Sequence, residues 1–256
     1  ERSTRRVIIT AAGQALLPFA QTTLEAADNF LVQSRGANGP LAGPLTIGII
    51  PTVAPYILPF LLPSIKEEFP KLEPFIVEEQ THNLLSQLRD GQIDFAILAL
   101  PSELSGATDT PLFTERFFVV VPHGHPLAGR EDLQLNDIKQ LELLLLDDGH
   151  CLRDQIVDLC RAAQINPSET TNAITKAASL TTVMQLVSAG LGSSLIPESA
   201  IKTECADRNV SLAQFAEDVV AEREIGLVFR SSTARQEDFH KIGELVTAAF
   251  KRAKEK

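Results

Sequence analysis

From residue 45 to residue 100 the chain alternates short apolar runs with amphipathic stretches, and no other feature restricts its possible folds as strongly. Strand candidates at 45–50, 75–79 and 94–100 flank helical stretches at 55–69 and 84–90. This βαβαβ succession implies a mostly parallel sheet covered by helices. A second set follows, with apolar runs at 117–121, 141–146, 172–175 and 194–196 and helices at 152–163 and 181–189. Residues 225–229 read as a last strand and 236–253 as a closing amphipathic helix. The class is α/β, and 256 residues with 44% apolar content allow one large core or two smaller ones.

Residues 10–35 read as a separate helix in which Leu17, Leu24 and Leu31 recur every seven positions, with Ala20 and Ala27 between them. That spacing fits a coiled-coil seam or packing on the chain's own core. Pro18 predicts a kink or a break. Residues 36–44, rich in glycine and proline, read as a flexible linker. The opening Glu1, with no start methionine, suggests a chain that begins in the middle of a protein.

A net charge of −10 predicts repulsion from nucleic acid, whose binding needs lysine and arginine against the phosphates. Arg2, Arg5 and Arg6 form a small basic cluster, a pattern more often solvated than functional. No apolar run reaches membrane-span length, and the first residues lack the apolar core of a signal peptide. Three cysteines and no secretion signal fit a reducing, cytoplasmic setting.

Two of those cysteines bracket one amphipathic helix. Asp147-Asp148-Gly149 ends an apolar run, so Cys151 falls near a helix N-terminus. Unpaired backbone N–H groups favour a thiolate there, with His150 and Arg153 as further cationic or donor groups, so a depressed thiol pKa is expected. Cys160 lies nine residues on, roughly 13 Å away along an intact helix. A disulfide tolerates at most about 7 Å between Cα atoms, so pairing would require local unfolding. The plain alternative is that both cysteines are small buried hydrophobes. The spacing is neither a CxxC motif nor a zinc pattern, and no metal or cofactor is expected.

Further along, Thr52 and Thr81 each follow a predicted strand, where a threonine is ordinarily a helix cap and otherwise a hydroxyl projecting into a cleft. Arg223 precedes the last strand, where an ion pair with Glu222 or Glu224 is the simple reading. Cys205 matches no motif, and His123 and His125 read as turn residues rather than metal ligands. Gly190 and Gly192 resemble half a nucleotide fingerprint but follow a helix, which favours a C-cap.

The segment Leu146-Asp147-Asp148-Gly149-His150-Cys151-Leu152-Arg153-Asp154-Gln155, with Cys160 following, resembles the redox loop of the OxyR family, the hydrogen-peroxide sensors among LysR-type transcriptional regulators. Residues 47–59 and 80–94 match as well, and the resemblance runs to about Phe250. It implies two Rossmann-like subdomains resembling type 2 periplasmic binding proteins, preceded by a linker helix. On that basis residues 1–44 are the end of the wing, linker helix and hinge; 45–117 and 220–256 are subdomain I; and 118–219 are subdomain II. The linker helix would dimerise, and the DNA-reading winged helix-turn-helix would precede this chain.

For the site, the resemblance implies attack of Cys151 on hydrogen peroxide, sulfenic acid formation and a disulfide with Cys160. Thr52 and Thr81 would hold the peroxide, His150 would orient it or raise thiolate content, and Arg223 would stabilise the leaving hydroxide. Asp154 and Gln155 would support the loop. Implied partners are hydrogen peroxide, DNA, RNA polymerase, a second or fourth copy of the chain, and a thioredoxin or glutaredoxin reductant, with no membrane. The competing readings are a thiol peroxidase, which would turn over with reductant, and an effector-binding domain for a small organic ligand with incidental cysteines.

Overall fold

The computed structural model describes residues 9–34, 41–165, 177–206 and 209–255. The expected strand at 172–175, the basic cluster at Arg2, Arg5 and Arg6, and most of the linker lie outside them.

Helix α1 (Ala11–Ser34) continues past Pro18 without a break. Leu16, Leu17, Phe19, Leu24 and Phe30 are all exposed, so these side chains do not pack on the chain's own core.

Strand β1 (Gly43–Ile49) pairs in parallel with β2 (Leu72–Glu78) and β3 (Phe95–Ala99). Helices α2 (Ala54–Glu68) and α3 (Thr81–Arg89) make the crossovers, as the alternating pattern predicts. Pro55 lies in the first turn of α2, where its missing N–H leaves no bond unmade. Pro59 and Pro63 sit on the helix's exposed side, where water can hydrate the freed carbonyls.

The sheet is not mostly parallel. Strand β7 (Glu222–Arg230) inserts antiparallel between β3 and the 16-residue β4 (Ala107–Pro122). The first part of β4 pairs with β7, and residues 117–122 pair antiparallel with β5 (Ser194–Pro197) and β6 (Val210–Gln214). The strand expected at 117–121 is thus the last third of a longer one. The apolar run 141–146 is not a regular strand: it meets the rest only through isolated bridges from Leu143 to Ser193 and from Leu146 to Ala177. Among the described residues the remaining α-helices are α4 (Cys151–Ala162), α5 (Leu180–Ser188), the short α6 (Ile201–Glu204) and α7 (Gln236–Glu255).

Burial follows strand parity and helix face. One hydrophobic cluster gathers β1, β3, β7, α2, α3 and α7 around Phe95, Phe229 and Phe239. The other gathers the end of β4, the 141–146 run, α4, α5 and β5. Tyr56 of α2 crosses into this second cluster, where its hydroxyl donates to the buried Glu204 carboxylate at 3.2 Å. Burial and that carboxylate push the Tyr56 hydroxyl far above the usual phenol range. Among the described residues no helix is long and apolar enough to cross a membrane.

Candidate functional site

At the point where β4 leaves β7 for β5, two charged side chains face inward. Glu115 and Arg223 are directly opposed across the β4–β7 ladder, and both side chains are fully shut off from solvent. Arg223 donates from Nε and Nη2 to Oε1 of Glu115 at 2.8 and 2.6 Å. The other carboxylate oxygen accepts from the Ser199 backbone N–H at 3.2 Å and its hydroxyl at 2.7 Å. The rest of the guanidinium turns to Thr52, donating to Oγ1 at 2.9 Å and to its carbonyl at 3.0 Å.

This arrangement revises two sequence expectations. The partner of Arg223 is Glu115 rather than Glu222 or Glu224, because alternate residues of a strand face opposite ways and both neighbours are exposed. Thr52 does not cap α2, whose N-cap is Val53 with no side-chain bond. Its oxygen accepts from Arg223, which leaves the hydroxyl proton free to donate.

Helix α4 begins at Cys151, one residue before the expected 152, with His150 as an N-cap that makes no side-chain cap bond. His150 is buried, and burial depresses its imidazole pKa, outweighing the opposing pull of Asp147. The ring is therefore neutral near pH 7 and brings no full positive charge to the helix start. Arg153 is likewise committed, to Asp148 at 3.0 Å and Asp154 at 3.5 Å. What remains at Cys151 is the helix N-terminus itself. Asp154 points largely to solvent and stands apart from the other site residues.

The two cysteines are not brought together. Nine residues at about 100° each place them on opposite faces of α4. Half-buried Cys151 packs against the first hydrophobic cluster, while Cys160 is buried in the second beside Leu152 and Ile156. None of the three cysteines is in a disulfide.

Thr81 opens α3 directly after Gln80, and Gln80 reaches the turn ahead of Cys151, donating to the Asp148 carbonyl at 3.3 Å. The start of α3 therefore lies beside the cysteine turn. Thr81 does not cap the helix either. Its Oγ1, together with Gln155 Oε1 and Asp147 Oδ1, is shut off from solvent with no hydrogen-bond partner among the described residues. Buried polar atoms of this kind are rare and suit a small molecule that both donates and accepts.

Sequence reasoning missed Glu115, Ser199 and Gln80. For Glu115 a signal existed: it shares parity with Phe117, Val119 and Val121, as Arg223 does with Ile225 and Leu227. Two opposite charges at inward positions of two strands point to a buried pair. Among the described residues no group of three or more potential ligands could hold a metal ion. His125 instead accepts the Leu127 N–H at Nδ1, at 3.2 Å.

Residues 38–251 match the LysR substrate binding domain. The chain is 46% identical over 252 residues to a probable hydrogen peroxide-inducible genes activator of Mycobacterium avium, covering 97% of this chain and 80% of that one. Among solved structures, a cysteine-to-serine variant of Corynebacterium glutamicum OxyR with H2O2 bound superposes with a TM-score of 0.85 at 58% identity, over 100% of this chain and 79% of that one. The oxidised form of the same protein, again at 58% identity and over 100% of this chain and 78% of that one, gives 0.76. The agreement of sequence and fold shows that the chain belongs to the OxyR-type hydrogen peroxide-inducible activators within the LysR family of transcriptional regulators.

Proposed function

We propose that this chain is the peroxide-sensing region of a transcription regulator and that Cys151 is its reacting thiol. The observation carrying this reading is the placement of Cys151 at the first position of α4, half a helical turn out of phase with Cys160. In the first step the Cys151 thiolate attacks one peroxide oxygen. An S–O bond forms, the O–O bond breaks, and hydroxide leaves to take up a proton as water. In the second step the Cys160 thiol condenses with the sulfenic acid, an S–S bond forms and water departs.

The unpartnered Thr81 and Gln155 oxygens and the free Thr52 proton supply acceptors and a donor for peroxide. His150, neutral and buried, serves as an orienting group. Arg223, held by Glu115, positions Thr52 rather than meeting the hydroxide itself. In this reading residues 45–117 with 220–256 and residues 118–219 are two subdomains whose relative position changes on oxidation. The signal passes to DNA through a winged helix-turn-helix and to RNA polymerase, in a cytoplasmic dimer or tetramer reset by thioredoxin or glutaredoxin.

The test is stopped-flow oxidation of the reduced protein by hydrogen peroxide with mass spectrometry of the cysteine peptides. Wild type is expected to react fast and yield a disulfide between Cys151 and Cys160. Cys151→Ser should abolish the fast phase, and Cys160→Ser should keep it but accumulate over-oxidised Cys151. Wild-type oxidation at bulk-thiol rates would overturn the reading.

A further inference from the structure

We infer that Gln80 is a positioning residue that holds the turn before Cys151 and thereby sets the rate at which α4 opens for disulfide formation. The inference rests on the cysteine chemistry proposed above. Two observations carry it. Gln80 Nε2 donates to the Asp148 carbonyl at 3.3 Å, across 68 residues of sequence. Its amide also lies against Gly149: a Cβ there would meet Gln80 Oε1 at 2.5 Å and Cδ at 3.0 Å, and Gly149 has φ +94°. The turn therefore accepts the amide only because position 149 lacks a side chain.

The base of this clasp is fixed. Gln80 is the N-cap of α3 in extended conformation, and its carbonyl accepts from the N–H groups of Asn83 and Leu84, both at 3.0 Å. Glu79 Oε2 accepts from the Gln80 N–H at 3.2 Å and from Asn83 Nδ2 at 2.9 Å. On the far side the turn is tied by Asp147 N–H to the Ala177 carbonyl at 2.9 Å. The amide thus joins a rigid helix start to the two residues that precede His150 and Cys151.

For Cys160 to reach a Cys151 sulfenic acid, the first turns of α4 must leave their place, and the Gln80 contact must break before they do. Loss of one such hydrogen bond is expected to raise the opening rate roughly fivefold. Peroxide attack needs no opening, so the ratio of resolution to attack should rise by a similar factor. Gln80→Met keeps the bulk over Gly149 without the donor, and Gln80→Glu replaces the donor by an anion facing the Asp148 carbonyl. The expected order of opening is Glu fastest, then Ala, then Met, with wild type slowest.

The experiment measures two quantities on the full chain: labelling of Cys160 by a thiol reagent in the reduced Cys151→Ser protein, and the separate rates of sulfenic acid formation and disulfide formation. Cys160 is 1% exposed, so its labelling reports opening without any peroxide chemistry. Faster labelling and faster resolution in all three variants, with thermal midpoints lowered by no more than about a few degrees, support the clasp. Unchanged labelling in Gln80→Ala overturns it. Faster labelling in variants whose wild type forms no sulfenic acid would instead sink the sensor reading while leaving the mechanical contact standing.

Discussion

Deleting the Glu115 carboxylate tests how the centre of this fold is held. Glu115→Ala would leave the Arg223 guanidinium in a site where both side chains have 0% exposure. Breaking a buried ion pair from one side costs about 3–5 kcal/mol, because the remaining charge stays desolvated and unpaired. The Ser199 N–H and hydroxyl lose their acceptor too, at about 1–3 kcal/mol for each group left unsatisfied. Water entering the vacated volume offsets part of this, so a net loss of at least about 4 kcal/mol is expected, a large share of a typical 5–15 kcal/mol stability. The assay is urea unfolding followed by far-UV circular dichroism. With a slope near 3 kcal/mol/M, the midpoint should fall by more than about 1 M. The double variant Glu115→Gln with Arg223→Met removes both charges and should lose less than Glu115→Ala alone. A Glu115→Ala loss under about 1 kcal/mol, or a double variant less stable than the single one, would refute the buried-pair argument.

Two further outcomes follow from particular side chains. Burial lowers the His150 pKa below the usual histidine value of 6.5, so the unfolded chain binds its proton more readily than the folded one. Its contribution to stability is complete above pH 6.5 and shrinks as pH falls through the lowered folded value; urea midpoints of wild type should therefore drop between pH 7.5 and 5.5 more steeply than those of His150→Gln. On α1, Leu24 is 67% exposed beside Phe19 and Phe30 at 70% and 72%. If these residues form a seam with a second copy, Leu24→Glu should lower the sedimenting mass without moving the thermal midpoint of the α/β region, and an unchanged mass would remove α1 from the assembly.

The parts of the molecule legible in the sequence are those where local pattern and tertiary demand agree. The βαβαβ run was readable because β1 and β3 are buried on both faces and their helices carry clean apolar stripes. The start of α4 at Cys151 was readable from the Asp147-Asp148-Gly149 break. The first part of β4 was not, because residues 107–116 pair with β7 on one side only and carry threonines, Asp109 and Pro111 where a buried strand would carry aliphatics. The ladder shifts register between Pro111 and Phe113, which further blurs the period-two signal. Residues 141–146 misled in the opposite direction: five leucines are buried there because the run is enclosed by other elements, and burial alone does not supply a strand partner. How the groups around Cys151 are charged is carried by no linear motif, since burial decides whether His150 is an imidazolium and Asp148 decides where the Arg153 charge goes.

The geometry of α4 also bounds the redox potential of the proposed disulfide. Bringing Cys160 to Cys151 requires the helix between them to unwind, which withdraws Leu152, Ile156 and Val157 from the second hydrophobic cluster. At about 1.5–3 kcal/mol for each buried aliphatic side chain, the oxidised state gives up roughly 4.5–9 kcal/mol of packing that the reduced state keeps. For a two-electron couple about 30 mV corresponds to 1.4 kcal/mol, so the reduction potential should lie roughly 100–190 mV above that of an unstrained structural disulfide, which sits below about −300 mV. That places the couple at about −100 to −200 mV, where a thioredoxin or glutaredoxin reductant resets it readily and peroxide still drives it forward. Equilibration against dithiothreitol or glutathione buffers, with the disulfide quantified by mass spectrometry, measures the value directly. A potential below −300 mV would mean that the helix and its packing survive oxidation, and the argument that the fold opposes its own disulfide would fall.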